Sequence, residues 1–157
     1  MGRIDVVHDM IRQSHLSIPE GLIEEILISR QTTKGVRNSN RGGWHSKAYY
    51  KPLDHWQPWI ASVADFVGRP VHNFWFNVNG PGHSNEWHNH GQRIGAVAVW
   101  YLQAPDNAGN FEYKTDTSTE ILKPTAGLLI THRGGIEHRV TENLSTELRI
   151  SVAFNFL

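Results

Sequence analysis

The chain has 157 residues, 39% of them hydrophobic and 19% charged, so a single domain spanning 1–157 with one sizeable core is expected. Fifteen Lys and Arg balance fifteen Asp and Glu; this zero net charge excludes the basic footprint by which nucleic acids and acidic membrane surfaces are bound. With no cysteine, disulfide scaffolds, thiolate zinc sites, iron–sulfur clusters and thiol nucleophiles are excluded, and His and carboxylates remain as metal ligands.

No apolar stretch approaches the ~20 residues of a membrane span, and Met1 to Asp5 lacks an apolar region after its Arg, so a soluble, unprocessed, cytoplasmic chain is expected. Ile18 to Gln31 sets Leu22, Ile23, Ile26 and Leu27 at helical spacing behind a Pro and two acids, which predicts a short amphipathic helix. From Thr32 to Lys47 the periodicity vanishes into Gly, Asn and Ser, and an irregular loop is expected. A second helix is predicted over Pro52 to Phe66, with Trp56, Trp59, Ile60 and Val63 on one stripe and Gly68 just past its end. After Pro70 the pattern changes to short β-branched and aromatic blocks. Strands are predicted at 71–79, 94–103, 109–113, 128–131, 137–141 and 146–156, separated by Gly, Pro and Asn turns. The expected architecture is mainly β: a helical and loop part over 1–69, then a sandwich or jelly roll over 70–157 braced by the two helices on one face. In the last strand Arg149, Ser151, Ala153 and Asn155 share one face and Ile150, Val152, Phe154 and Phe156 the other, which aims the arginine into a polar interior and the apolar face at the helices.

Ten histidines direct the search for chemistry. In the run from His83 to His90, His88 and His90 project to one side of an extended segment and can meet one ion, although a lone His-x-His pair is equally consistent with surface or capping histidines. His138, after the Gly134-Gly135 turn, heads a late strand that a jelly roll can bring beside an early one. Ten residues separate it from Arg149, a hairpin spacing that places the guanidinium deeper in the same cavity. Arginine grips carboxylates in a fork, and Ser151 on the same face adds a hydroxyl. These groups describe a pocket for a metal and a small dicarboxylate. Trp44, Trp87 and Arg93 lie on loops that would border its mouth. Asn77 and Asn79 either point into the site or serve turn chemistry beside Gly80-Pro81-Gly82, the more common role; Trp56 and Trp59 are read as packing on the sheet, His8, His15, His45, His55 and His72 as outside the constellation, and His83 and His132 as nearer it without a matching position.

The order of segments is distinctive. Asn77-Val78-Asn79-Gly80 leads through a Gly-rich turn to His88; Trp100-Tyr101-Leu102 follows, then Gly109-Asn110-Phe111, the strand Pro124-Thr125-Ala126-Gly127-Leu128, His138, and Arg149-Ile150-Ser151. Over Phe74 to Asn155 this resembles the Fe(II)- and 2-oxoglutarate-dependent oxygenases, within them the small prolyl-hydroxylase-like branch. The segment Ser39 to Ser46 is similar to that branch with lower specificity. The resemblance implies a double-stranded β-helix with iron at its open end, held by His88 and His138. It also implies that Arg149 binds the distal carboxylate of 2-oxoglutarate with Tyr101 and Ser151. Oxidative decarboxylation to succinate and CO2 would then accompany hydroxylation of a C–H bond in a peptidyl substrate, prolyl among the candidates, or a small-molecule one, with O2 as the other partner.

The family's usual second ligand is a carboxylate two residues after the first His, and here that position is His90. A three-histidine face of His88, His90 and His138 is therefore expected, with Glu86 and Glu137 as alternative carboxylates and zinc or nickel as alternative ions. Two other readings stand beside the oxygenase. One is a cupin-type metal-dependent enzyme that does not use 2-oxoglutarate, although cupins add a glutamate soon after the His pair and Gly91 to Gly95 has none; the other is a non-catalytic jelly-roll binding module.

Overall fold

In the structure, a computed structural model, residues 10–157 are described; His8 and the Met1 to Asp5 stretch lie outside them. Among the described residues eleven strands build two antiparallel sheets: β1 (Arg12–His15), β2 (Asn40–Arg41), β3 (Trp44–His45), β4 (Asn73–Asn79), β5 (Ser84–His88), β6 (Ala96–Gln103), β7 (Phe111–Lys114), β8 (Thr119–Leu122), β9 (Leu128–His132), β10 (His138–Val140) and β11 (Arg149–Phe156). The larger sheet runs β1-β9-β6-β11-β4-β3 and the smaller β2-β5-β10-β7-β8. This is the jelly roll expected from the sequence, with β11 at the centre of the larger sheet between β4 and β6.

Both predicted helices form, as α1 (Leu22–Thr32) and, after a single 3-10 turn at Asp54–Trp56, α2 (Gln57–Val67). Pro58 starts α2, where its missing N–H costs nothing. Gly68, at φ 83°, ends it with an N–H donated to Ala64 O at 2.8 Å. The period-2 pattern of β11 sorts its neighbours. Ile150, Val152, Phe154 and Phe156 face the helices and join Trp56, Trp59, Phe74, Phe76 and Trp100 in one aromatic-rich core. Trp59 lies 5.5 Å from Trp100 and 6.1 Å from Phe154, ring centre to ring centre, so the tryptophan stripe packs on the sheet as expected. A smaller core of Ile11, Tyr101, Phe111 and Ile130 lies on the other side of the larger sheet.

The stretch read as an irregular loop contains β2 and β3. Strand β2 adds to the edge of the smaller sheet beside β5, and β3 to the edge of the larger beside β4. Gly42 and Gly43, at φ 69° and 72°, carry the chain from one sheet to the other within two residues, and a Cβ on Gly43 would collide with the Asn79 side chain. Strands β1, β5 and β8 also lie outside the predicted strands: β1 and β8 are short sheet-edge strands, and β5 is the extended segment that carries His88.

Candidate metal centre

His88 closes β5 and His138 opens β10, and the two are direct partners in the antiparallel ladder, with ring centres 4.2 Å apart. His90 lies two residues past β5, where its backbone N–H donates to Gly134 O at 2.8 Å and brings its ring to 5.3 Å from His88 and 5.2 Å from His138. One ring nitrogen from each of the three lies within 4.8 Å of the others, close enough to serve one ion, and among the described residues no other group of three such side chains does so.

Each ring has one nitrogen already engaged. His88 Nδ1 meets Glu86 O at 2.7 Å, His138 Nδ1 meets Ile136 O at 2.9 Å, and His90 Nδ1 meets Asn155 Oδ1 at 2.7 Å. All three partners are acceptors, so Nδ1 carries the proton and Nε2 is left with a free lone pair. Burial reinforces this state by disfavouring the cation. It lowers the pKa of His88, and with neighbouring imidazoles it lowers those of His90 to about 4 and His138 to about 2. At neutral pH the trio is uncharged and competent to ligate. Neither alternative carboxylate joins it: Glu86 pairs with Arg41 at 2.5 Å on the rim, and Glu137 accepts from Asn89 at 2.9 Å.

The trio opens into a cavity of about 520 Å³ that also receives Arg149, Tyr101 and Ser151 from the inner face of the larger sheet. Ser151 is in register with Asn77 on one side and Tyr101 on the other, and Arg149 with Asn79, so the alternation read from the sequence puts these polar groups on one wall. Arg149 is 1% exposed. Its Nη1 donates to Ala108 O and, at 3.3 Å, to Thr141 O, while Nη2 has no partner, nor has the buried Tyr101 hydroxyl. Burial pushes that hydroxyl up to about 12 against the opposing pull of Arg149. No carboxylate among the described residues forms an ion pair with Arg149. A guanidinium withdrawn from water with no counter-charge is costly unless an anion arrives.

Some of the lining escaped the sequence reading. Asn77 and Asn79 take the site-facing alternative over turn chemistry, and His45, expected outside the constellation, joins them in lining the cavity, as does Trp75. Trp75 lies stacked between His45, at 5.2 Å and 11°, and His90, at 6.0 Å and 16°. Strict alternation along β4 from Arg149's partner Asn79 back through Asn77 to Trp75 would have found three of these; His45 sits on a two-residue strand with no periodic signal. His132, read as near the constellation without a matching position, is buried beside His138 at 4.7 Å, with its Nε2 unpartnered, though it does not line the cavity. Of the three mouth candidates, Trp87 lines the cavity. Trp44 instead donates to Thr33 O and packs against the helix-side core, and Arg93 is exposed on a turn outside it.

Sequence comparison finds no matching family model and no matching curated protein. Solved structures do match. A Pseudomonas putida prolyl-4-hydroxylase superposes with a TM-score of 0.76 at 18% identity, covering 98% of this chain and 95% of that one. A Trichoplax adhaerens prolyl hydroxylase in complex with a hypoxia-inducible-factor peptide fragment gives 0.71 at 12% identity over 98% and 86%. The viral collagen prolyl hydroxylase of Paramecium Bursaria Chlorella virus-1, in its 2-oxoglutarate complex, gives 0.65 at 15% over 93% and 94%. The jelly roll of this chain is thus the fold of prolyl-hydroxylase and 2OG-Fe(II) oxygenase structures.

Proposed function

We propose that the chain is a single-domain Fe(II)- and 2-oxoglutarate-dependent dioxygenase that hydroxylates a C–H bond, with His88, His90 and His138 holding the iron. Arg149, Tyr101 and Ser151 would hold the distal carboxylate of 2-oxoglutarate. The observation that carries this reading is the buried Arg149, free of acidic partners and with an unpartnered Nη2, in the same cavity as three imidazoles that share a focus. The residues fit the implied groups. Three neutral nitrogen donors suit a borderline divalent ion, and the orphaned Nη2 and Tyr101 hydroxyl are donors without an acceptor. When bound, the iron would supply the activation of O2 that couples decarboxylation of 2-oxoglutarate, to succinate and CO2, with insertion of the other oxygen atom into the substrate C–H bond.

The chain's own residues account for the rest. Arg149 supplies a fixed cation for a carboxylate, and burial keeps water from competing for it. Because three histidines add no negative charge, a divalent ion would keep its full charge, and a dianionic co-substrate would be drawn by both ion and guanidinium. The remaining wall is neutral and rich in amides, with Arg41 and Glu86 cancelling one another at the rim, which suits an uncharged polar substrate. The prolyl hydroxylases among the structural neighbours support a peptidyl, prolyl substrate.

Purified protein given Fe(II), ascorbate, O2 and 2-oxoglutarate should release succinate even without a substrate, at an uncoupled rate, and peptides with proline should accelerate it. Metal uptake with no succinate and no effect of 2-oxoglutarate on the metal's absorption spectrum would replace this reading with a metal enzyme of another kind.

A further inference from the structure

The three imidazoles are not oriented in the same way. His88 and His138 tie Nδ1 to the carbonyl two residues earlier in the chain, at Glu86 within β5 and at Ile136 just before β10, so local backbone sets their rings. His90 lies beyond the end of β5, and its Nδ1 is not tied to the backbone in this way. Its Nδ1 reaches a side chain 65 residues away, Asn155 Oδ1, at 2.7 Å. Asn155 belongs to β11, where its backbone is in register with Asn73 and Val97, so its amide is held on a strand paired on both sides.

Resting on the metal centre proposed above, we infer that Asn155 is a positioning residue for that centre: its amide oxygen fixes His90 in the tautomer whose Nε2 lone pair faces the other two histidines. An amide presents two different faces, and only Oδ1 accepts from Nδ1–H; Nδ2 in its place would push the ring proton onto Nε2 and remove the third donor. Outer partners of metal-bound histidines set ring orientation and basicity, and their loss typically lowers metal affinity about 10–100-fold. Asn155 does this with a neutral oxygen, so the site gains orientation without gaining charge.

The test uses Co(II) alone as probe and the full-length chain. Long-range proton–nitrogen NMR of the metal-free protein should find His90 protonated on Nδ1 in the wild type and in Asn155→Asp, and no longer held in that form in Asn155→Leu. Absorbance titration should show Co(II) affinity falling about 10–100-fold in Asn155→Leu and staying at or above the wild-type value in Asn155→Asp, with similar melting of the metal-free proteins. Should Asn155→Leu not fold, Asn155→Ser, too short to reach His90, takes its place. A wild-type His90 protonated on Nε2, or a Leu or Ser variant that binds Co(II) as tightly as the wild type, overturns the assignment while leaving the metal centre standing. A wild-type chain that takes up no Co(II) overturns the metal centre and this assignment with it.

Discussion

Arg149 illustrates how one residue's surroundings state its task. Its Nη1 is spent on the carbonyls of Ala108 and Thr141, which hold the guanidinium in place, and its Nη2, without a partner, is the donor that the proposed co-substrate carboxylate would meet. Gly109 makes the approach possible: at φ 98°, a Cβ there would overlap both Thr141 O and Nη1. Arg149→Ala should raise the 2-oxoglutarate concentration required for succinate release by about 100-fold, since charge-assisted bonds contribute about 1.5–3 kcal/mol each. Gly109→Ala should do likewise by displacing the arginine, with an additional loss of stability of about 1–3 kcal/mol from the strained φ. An unchanged requirement in both variants removes the arginine from the co-substrate site. Tyr101 gives a pH signature. Its hydroxyl is held protonated up to about 12 by burial, whereas in the unfolded chain it ionises near 10. The folded state therefore binds the proton more tightly, so this residue's contribution is intact below pH 10 and is lost as pH climbs from 10 toward 12. The ultraviolet titration difference between wild type and Tyr101→Phe should place the Tyr101 phenolate signal near pH 12; a signal near pH 10 would contradict its burial.

Strand β11 does two jobs at once because its side chains alternate. One face supplies Arg149, Ser151 and Asn155 to the site, and the other seats Phe154, fully buried, among Trp59 and Phe74. Phe154→Ala should cost about 3–5 kcal/mol of unfolding free energy in chemical denaturation, chiefly by leaving a cavity, while leaving the pattern of ligand response intact in the fraction that stays folded. A loss under 1 kcal/mol would mean that the aromatic core repacks freely. The same alternation explains what could be read in advance. β11, β4 and α2 carry periods of 2 or 3.6 over seven or more residues, β6 is an unbroken apolar and aromatic run, and each is legible, as is the face of β11 that holds Arg149. β2 and β3 are two residues long and owe their existence to the sheet edges they meet, so no local pattern announces them. With them went His45, which reaches the cavity only because β3 docks on β4. Asn155 was assigned to the correct face, but its bond to His90 joins residues 65 apart and depends on the chain's path beyond β5.

Across the whole molecule, the proposed site straddles the two sheets: His88 and His138 come from the smaller one and Arg149, Tyr101 and Ser151 from the larger. A metal ion held by the histidines and a diacid that reaches from that ion to Arg149 would tie one sheet to the other, so occupancy should register as global stability. For a ligand at 100 times its dissociation constant that binds only the folded state, linkage gives about 2.7 kcal/mol. At about 2–4 °C per kcal/mol for a chain of this size, the melting temperature should rise by about 5–10 °C. The two ligands should also be coupled, each raising the affinity for the other by the same factor. Melting under nitrogen with Fe(II), with 2-oxoglutarate, and with both should therefore give a joint shift larger than the two separate shifts combined. Arg149→Ala should keep the Fe(II) shift and lose the increment from 2-oxoglutarate, whereas His138→Ala should lose both. Equal 2-oxoglutarate shifts with and without Fe(II), or an undiminished joint shift in His138→Ala, would mean that the histidines and the arginine serve separate ligands and that the cavity is not one site.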